Sequence, residues 1–404
     1  MKKNLKQTAI LLIGQGVVIG AGFGIKAIQT RYLGAETYGL YAFFSSFIAL
    51  ALLFFRFGYF NSIQILLTET KEASQQQKLA GLGYLISLVL GLLFAVFIFV
   101  SAFWVDDLWK LDIGKYMMVA APFTILLPFR NFISAYSIGT NKLNLLASFD
   151  SMAKILFLVL LTTLVTLEWL NLYWVIIGSI VTFSLPIAVA SRNIKPHFRN
   201  IKTTWTAVQN KNKQHGFHFY LGTTANQSTY KSDELLITYF INATQNGFYT
   251  IAEMLCTPMV LVSQAFSNTY FKKFRNQSRI PSGMLLINFL WLCISGSLLW
   301  LLVDFLVPIM FGEEFTEVAD LTKGLILAFF FQGLYQPYMF LTAKSKGKAI
   351  RNVDFIEAGT NLLGNIILIP IIGIWGAIYT SILAKLIHYL GKVYLYRQYK
   401  LEKL

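Results

Sequence analysis

The sequence predicts an all-α, polytopic membrane protein of about twelve transmembrane helices, on three observations. Of its 404 residues, 56% are hydrophobic and only 13% are charged, against roughly 25% charged in a soluble globular chain. The mean hydropathy is +0.58. The polar residues gather between apolar runs of about 18–25 residues, the length that crosses a bilayer as a helix.

The runs place spans near 8–32, 36–64, 79–103, 114–139, 146–167 and 171–191, then 215–241, 243–271, 283–305, 318–343, 349–370 and 373–396. They are too long and continuous for the alternating strands of a membrane barrel. Met1-Lys2-Lys3 has the basic flank of a signal peptide. The apolar run behind it is too long and lacks a cleavage-type exit, so it is expected to be the first span.

A net charge of +15 would point to nucleic acid in a soluble protein. In a membrane protein Lys and Arg concentrate in cytoplasmic loops instead, and no nucleic acid partner is expected. Loops on the side of the termini carry Lys2, Lys3, Lys6, Lys71, Lys142, Arg192, Lys195, Lys272, Arg275, Lys346, Lys348 and Lys403 among others. The opposite loops carry Glu36, Asp106, Asp107, Asp112, Glu168, Glu313 and Glu314. The asymmetry puts both termini in the cytoplasm. Cys256 and Cys293 lie in apolar stretches, where two small buried side chains are expected rather than a disulfide framework.

Residues 32–42, YLGAETYGLYA, resemble residues 240–250, FINATQNGFYT. At an offset of 208, Tyr32 meets Phe240, Ala35 meets Ala243, Gly39 meets Gly247 and Tyr41 meets Tyr249. Both strings fall at the outer turn between the first two helices of a set of six. The chain is therefore expected to hold two homologous six-helix bundles, 1–191 and 215–404, joined by a basic cytoplasmic linker, 192–214. Six is even, so the repeats are parallel, the construction of transporters that bind substrate between halves and alternate access.

A charge at the centre of a spanning helix costs about 2.5–3.5 kcal/mol on insertion scales, so it usually faces a cavity or a partner. Lys154 has Asp150 four residues before it, Lys231 has Glu234 three after it, and Arg351 has Asp354, spacings that pair on a helix. Lys26, Arg56, Arg130 and Lys385 have no acid three or four positions away. Arg56 and Lys26 lie toward span ends and can snorkel; Arg130 and Lys385 cannot do so easily. These four are the candidate substrate-binding residues, lining a cationic cavity that suits an anion, with Arg offering phosphate a bidentate fork. Asp233, Glu234 and Glu253 are candidates for binding a driving proton or sodium ion, or equally for pairing with Lys231 or another helix.

Nothing points to a catalytic residue, a cofactor or a metal. His197, His215, His218 and His388 show no ligand spacing, and no Walker-type phosphate loop is present. The sequons at Asn226 and Asn242 are common by chance.

The string Arg31-Tyr-Leu-Gly34-Ala-Glu36-Thr-Tyr38-Gly39-Leu-Tyr41-Ala42 resembles the signature of polysaccharide-repeat-unit flippases (O-antigen, capsule or teichuronic type). These belong to the multidrug/oligosaccharidyl-lipid/polysaccharide exporter superfamily. Asp233 ahead of Gly247-Phe-Tyr249, Phe311-Gly312-Glu313-Glu314-Phe315, and the stretch from Asn365 through Pro370 and Gly373 to Gly376-Ala377 are similar to the same family. The resemblance implies a bacterial inner-membrane flippase that moves an undecaprenyl-pyrophosphate-linked oligosaccharide outward through a cationic cavity. Bilayer lipid and a polymerase of the same pathway are the implied partners. A drug/cation antiporter of the superfamily would be expected to carry an acidic cavity instead. Peptidoglycan-precursor flippases are usually longer by two helices. A membrane polysaccharide enzyme would need a larger outer loop than 103–113 or 305–318, so a transporter is expected rather than an enzyme.

Overall fold

The computed structural model describes residues 2–70, 72–274, 276–344 and 347–401, the side chains of 2–15, 225, 226, 230, 272, 347 and 348 excepted. Lys71, Arg275, Lys346 and Lys403, and the side chains of Lys2, Lys3, Lys6, Lys272, Lys348 and Asn226, lie outside the described residues. Every element among the described residues is helical. The chain divides into two compact units, Met1–Gln227 and Ser228–Leu404.

The N-terminal unit begins with α1 (Lys2–Phe54), α2 (Tyr59–Glu69), α3 (Ala73–Ser101), α4 (Val105–Trp109) and α5 (Gly114–Ala120). It continues with α6 (Leu127–Gly139), α7 (Leu143–Thr166), α8 (Leu172–Val181), α9 (Ser184–Ile194) and α10 (Ile201–Lys211). α1 breaks at Gly34, whose φ of 75° and ψ of 171° fall where a Cβ is not tolerated. The repeated string thus holds a turn between two spans. The second span, expected to run unbroken over 36–64, is interrupted at Phe57 (φ 45°) and Gly58 (φ 77°). A Cβ on Gly58 would come within 2.6 Å of Asn212 Oδ1 and the Gly216 backbone, so the bend is built against the segment that follows α10.

The core of this unit joins Phe60, Ile63 and Leu67 of α2 to Leu82 and Leu90 of α3, Phe132 and Tyr136 of α6, and Phe149 of α7. The basic stretch 192–214 is not plain loop. Trp205 and Val208, three residues apart, give α10 an apolar stripe in an otherwise polar sequence. Val208 is buried, Trp205 lies 5.4 Å from the Tyr59 ring, and Lys211 pairs with Glu69 at 2.6 Å.

α11 (Phe217–Phe240) contains the boundary between units. The C-terminal unit continues with α12 (Ala243–Phe274), α13 (Ser282–Phe311), α14 (Glu317–Leu334), α15 (Met339–Ala343), α16 (Gly347–Ile372) and α17 (Ile374–Leu401). The second copy of the repeated string also sits on a helix break. At the position equivalent to Gly34, Asn242 caps α12, its Oδ1 accepting the Gln245 N–H at 2.9 Å. Phe274, Phe340, Leu341, Tyr396 and Tyr399 form a core in this unit. α13 is apolar on every side: Leu292, Val303 and Val307 are buried while Leu286, Ile287, Ile294, Leu301 and Phe305 are exposed. A helix apolar all round belongs in lipid or a deep core.

Among the described residues nine helices are long and apolar enough to cross a membrane. α1 counts once there although Gly34 divides it into two spans. α11, which carries Lys231, Asp233 and Glu234, and α17, which carries Lys385, His388 and Lys392, fall outside that set. With these additions the helices account for twelve, and the polar ones are where function should be sought.

Candidate functional site

In the N-terminal unit, the turn after α1 sets Arg56, α6 sets Arg130, and α7 sets Asp150 and Lys154. Arg130 faces Asp150 as a bidentate pair, Nε to Oδ1 at 2.8 Å and Nη2 to Oδ2 at 3.0 Å. Arg130, Asp150 and Lys154 line a cavity of about 420 Å³ with Tyr41, Ser45 and Thr182, a size within the range of ligand clefts. A second cavity of about 360 Å³ is lined by Arg56, Asn61, Gln64, Arg130 and Gln227. Arg130 borders both. Arg56 Nη1 donates to Gln227 Oε1 at 3.3 Å, and Arg56 and Arg130 lie within electrostatic reach of each other. Lys26 sits on α1 with its ammonium 5.8 Å from the Tyr38 ring centre and within reach of Lys154. Three of the four expected cations, with Lys154, thus gather in one unit.

Several pairings differ from those expected from spacing. Asp150, four residues before Lys154, is held by Arg130 across twenty residues, because a guanidinium fork engages both carboxylate oxygens and an ammonium engages one. Lys154 makes no ion pair among the described residues and faces the cavity, a residue the helical spacing had set aside. Lys385 has no acid within four positions on α17, yet its Nζ lies 3.1 Å from Glu357 Oε1 on α16.

The C-terminal unit holds a buried polar cluster. Asp233 on α11 accepts from Asn361 Nδ2 at 2.7 Å and Asn365 Nδ2 at 2.6 Å, both on α16. Glu234 pairs with Lys231, as their spacing predicts. Glu253 on α12, Glu234 and Lys385 all lie within electrostatic reach of Asp233. The two asparagines were not singled out in the sequence; their signal was a pair of amides four residues apart, on one face of α16. Nor did spacing reveal that Asp354, Glu357 and His388 bring side-chain ligand atoms within 4.8 Å of one another. Asp354, expected beside Arg351, faces His388 Nε2 at 3.2 Å.

The arrangement can hold an anion in the N-terminal cavities and a small cation at the carboxylates of the C-terminal unit. The family model described as polysaccharide biosynthesis protein matches residues 4–271. Among solved structures, the chain is similar to the lipid II flippase MurJ in an inward closed conformation. That match has a TM-score of 0.72 at 14% identity, over 97% of this chain and 89% of the other. It is also similar to a multidrug resistance MATE family transporter of the MOP superfamily in an inward-facing conformation. There the TM-score is 0.70 at 12% identity, over 95% of both chains. No curated protein sequence matches. Identities this low establish the fold alone, which this chain shares with those two structures. The family match extends over more than half of the chain, which is therefore a multi-pass membrane protein belonging to the polysaccharide biosynthesis protein family.

Proposed function

We propose that this protein flips an undecaprenyl-pyrophosphate-linked oligosaccharide repeat unit from the cytoplasmic to the outer leaflet of a bacterial inner membrane, by alternating access. The observation that carries the proposal is the gathering of Arg56, Arg130 and Lys154 at two cavities within membrane helices. Charges held in lipid are expensive unless they meet a ligand, and guanidinium and ammonium groups suit pyrophosphate oxygens. Lys26, Arg56, Arg130 and Lys385 are the assigned substrate contacts. Asp233, Glu234 and Glu253 are assigned to a coupling proton or sodium ion, and a polymerase of the same pathway is the expected recipient. The repeated outer-turn string supports two homologous bundles, 1–191 and 215–404, joined by 192–214.

The test is reconstitution. Vesicles holding the protein should expose a lipid-linked pyrophosphoryl oligosaccharide to an external glycosidase faster than empty vesicles do, and should not move a lipophilic drug cation. The reverse pattern would assign the fold to drug export.

Orientation follows from loop charge. Cysteines placed in 192–214 and near both termini should escape an impermeant thiol reagent in intact cells, while one at Glu314 should react. Labelling of the 192–214 stretch from outside would reverse the orientation.

A further inference from the structure

The N-terminal unit holds another cavity, of about 370 Å³, between α6, α7 and α9. Its apolar wall is Leu145, Phe149 and Met152 of α7 with Pro186, Val189 and Ala190 of α9. Lys142, Asn144 and Asn193 also line it, and all three are exposed. They share one end of the cavity, because α7 begins there and α9 finishes there. Lys142 Nζ stands 5.8 Å from the Tyr136 ring centre, and Arg192 and Lys195 flank Asn193 in the sequence. Loop charge makes this the cytoplasmic end. The apolar wall continues away from it along both helices. Ile155 and Val159, three and seven residues beyond Met152, are exposed, as is Leu185, four before Val189; these spacings keep to one helix face. From Leu145 to Ile155 the wall runs about 15 Å, the depth of one leaflet of a hydrocarbon core about 30 Å thick.

We propose that this cavity binds an anionic phospholipid of the cytoplasmic leaflet, with its phosphate beside Lys142, Asn144 and Asn193 and an acyl chain along Phe149, Met152 and Val189. Charge complementarity selects the headgroup. An ammonium and two amides donate to phosphate oxygens, and Lys142, Arg192 and Lys195 would repel the cation that a zwitterionic headgroup carries. The apolar wall selects a lipid over a soluble anion, which would leave that wall in water. Phe149 is buried and stacks on Phe183 at 5.9 Å, so this part of the wall is fixed, while Met152 is unbranched and adapts to a chain. The site is separate from the cavity of Arg130. At about 100° per residue, Leu145, Ser148 and Met152 face one side of α7, and Asp150, Lys154 and Phe157 face the other. Such a lipid would be bound whatever cargo the protein moves.

The test places the full-length protein in nanodiscs containing phosphatidylglycerol with a diazirine midway along one acyl chain, and maps the photoadducts by mass spectrometry. Adducts are expected on α7 near Met152 and on α9 near Val189. Excess unlabelled phosphatidylglycerol should suppress them, and phosphatidylcholine with the same chains should not. Ser148→Trp fills the cavity from an exposed position with no change of charge, and should abolish the adducts on both helices. Lys142→Gln should weaken capture about fivefold, the share of one basic residue at an anionic surface. Lys202→Gln, which removes an exposed basic residue of α10 outside the cavity, should leave capture unchanged. Absence of adducts on α7 and α9, or adducts that survive Ser148→Trp, overturns the site. Equal suppression by phosphatidylcholine, or an equal loss in Lys202→Gln and Lys142→Gln, overturns the selection of an anionic headgroup. Stronger suppression by undecaprenyl phosphate than by phosphatidylglycerol assigns the groove to an isoprenoid carrier and overturns the phospholipid assignment.

Discussion

Arg130→Ala is expected to lower flipping of a lipid-linked pyrophosphoryl oligosaccharide by at least about tenfold, equivalent to about 1.4 kcal/mol, with the amount of inserted protein unchanged. Arg130 is the residue bordering both cavities of the N-terminal unit, and its fork is matched to oxyanion geometry. The complication is Asp150, which occupies the fork in the resting arrangement and would be left bare in the single variant. The double variant Arg130→Ala/Asp150→Ala separates the two roles. If Arg130 binds substrate, the double variant stays inactive. If the pair only stabilises the packing of α6 on α7, removing both partners restores activity, because the cost of a broken pair is mostly the uncompensated charge. The measurement is initial flipping rate normalised to protein incorporated; recovery in the double variant would remove Arg130 from the binding site.

The second large effect concerns the driving force. Each elementary charge that crosses the membrane is worth about 2.3 kcal/mol per 100 mV. With the cytoplasm negative, an anionic pyrophosphate carrier is pushed outward, and two uncompensated charges supply roughly 4–5 kcal/mol per 100 mV. Vesicles given a potential with no proton or sodium gradient should therefore flip substrate faster as the interior equivalent to the cytoplasm becomes more negative. Asp233→Asn should keep this response and lose acceleration by an ion gradient, since Asp233 is the carboxylate clamped by Asn361 and Asn365. Flipping by the native protein that ignores the potential contradicts the electrogenic part, and an intact gradient response in the variant removes Asp233 as the coupling site.

Hydropathy runs carried most of the fold. Span number and the turns at Gly34 and at its equivalent, Asn242, follow from local composition. The break at Phe57 and Gly58 did not show, because it depends on close approach of residues 212–216 to that turn. The helix at 201–211 was masked by its basic composition, which outweighed the Trp205–Val208 stripe. At the candidate site, intramembrane charge picked out Lys26, Arg56, Arg130, Lys385 and the three acids. Helical spacing then misassigned the partners: it gave Asp150 to Lys154 and Asp354 to Arg351, and it found none for Arg130 and Lys385. Ion pairing between helices depends on which faces meet, and no i to i+4 rule contains that information. His388 was overlooked for the same reason, since both of its carboxylates come from α16.

The central claim, that the substrate is a lipid-linked saccharide moved outward, is tested most directly by its location in cells lacking the gene. Intact and inverted membrane vesicles from such cells can be exposed to a saccharide-specific impermeant probe. Accumulation of the lipid-linked oligosaccharide on the cytoplasmic leaflet, reversed by the native protein and not by the Arg130→Ala/Asp150→Ala variant, is the predicted result. The same oligosaccharide found on the outer leaflet at wild-type levels would contradict it.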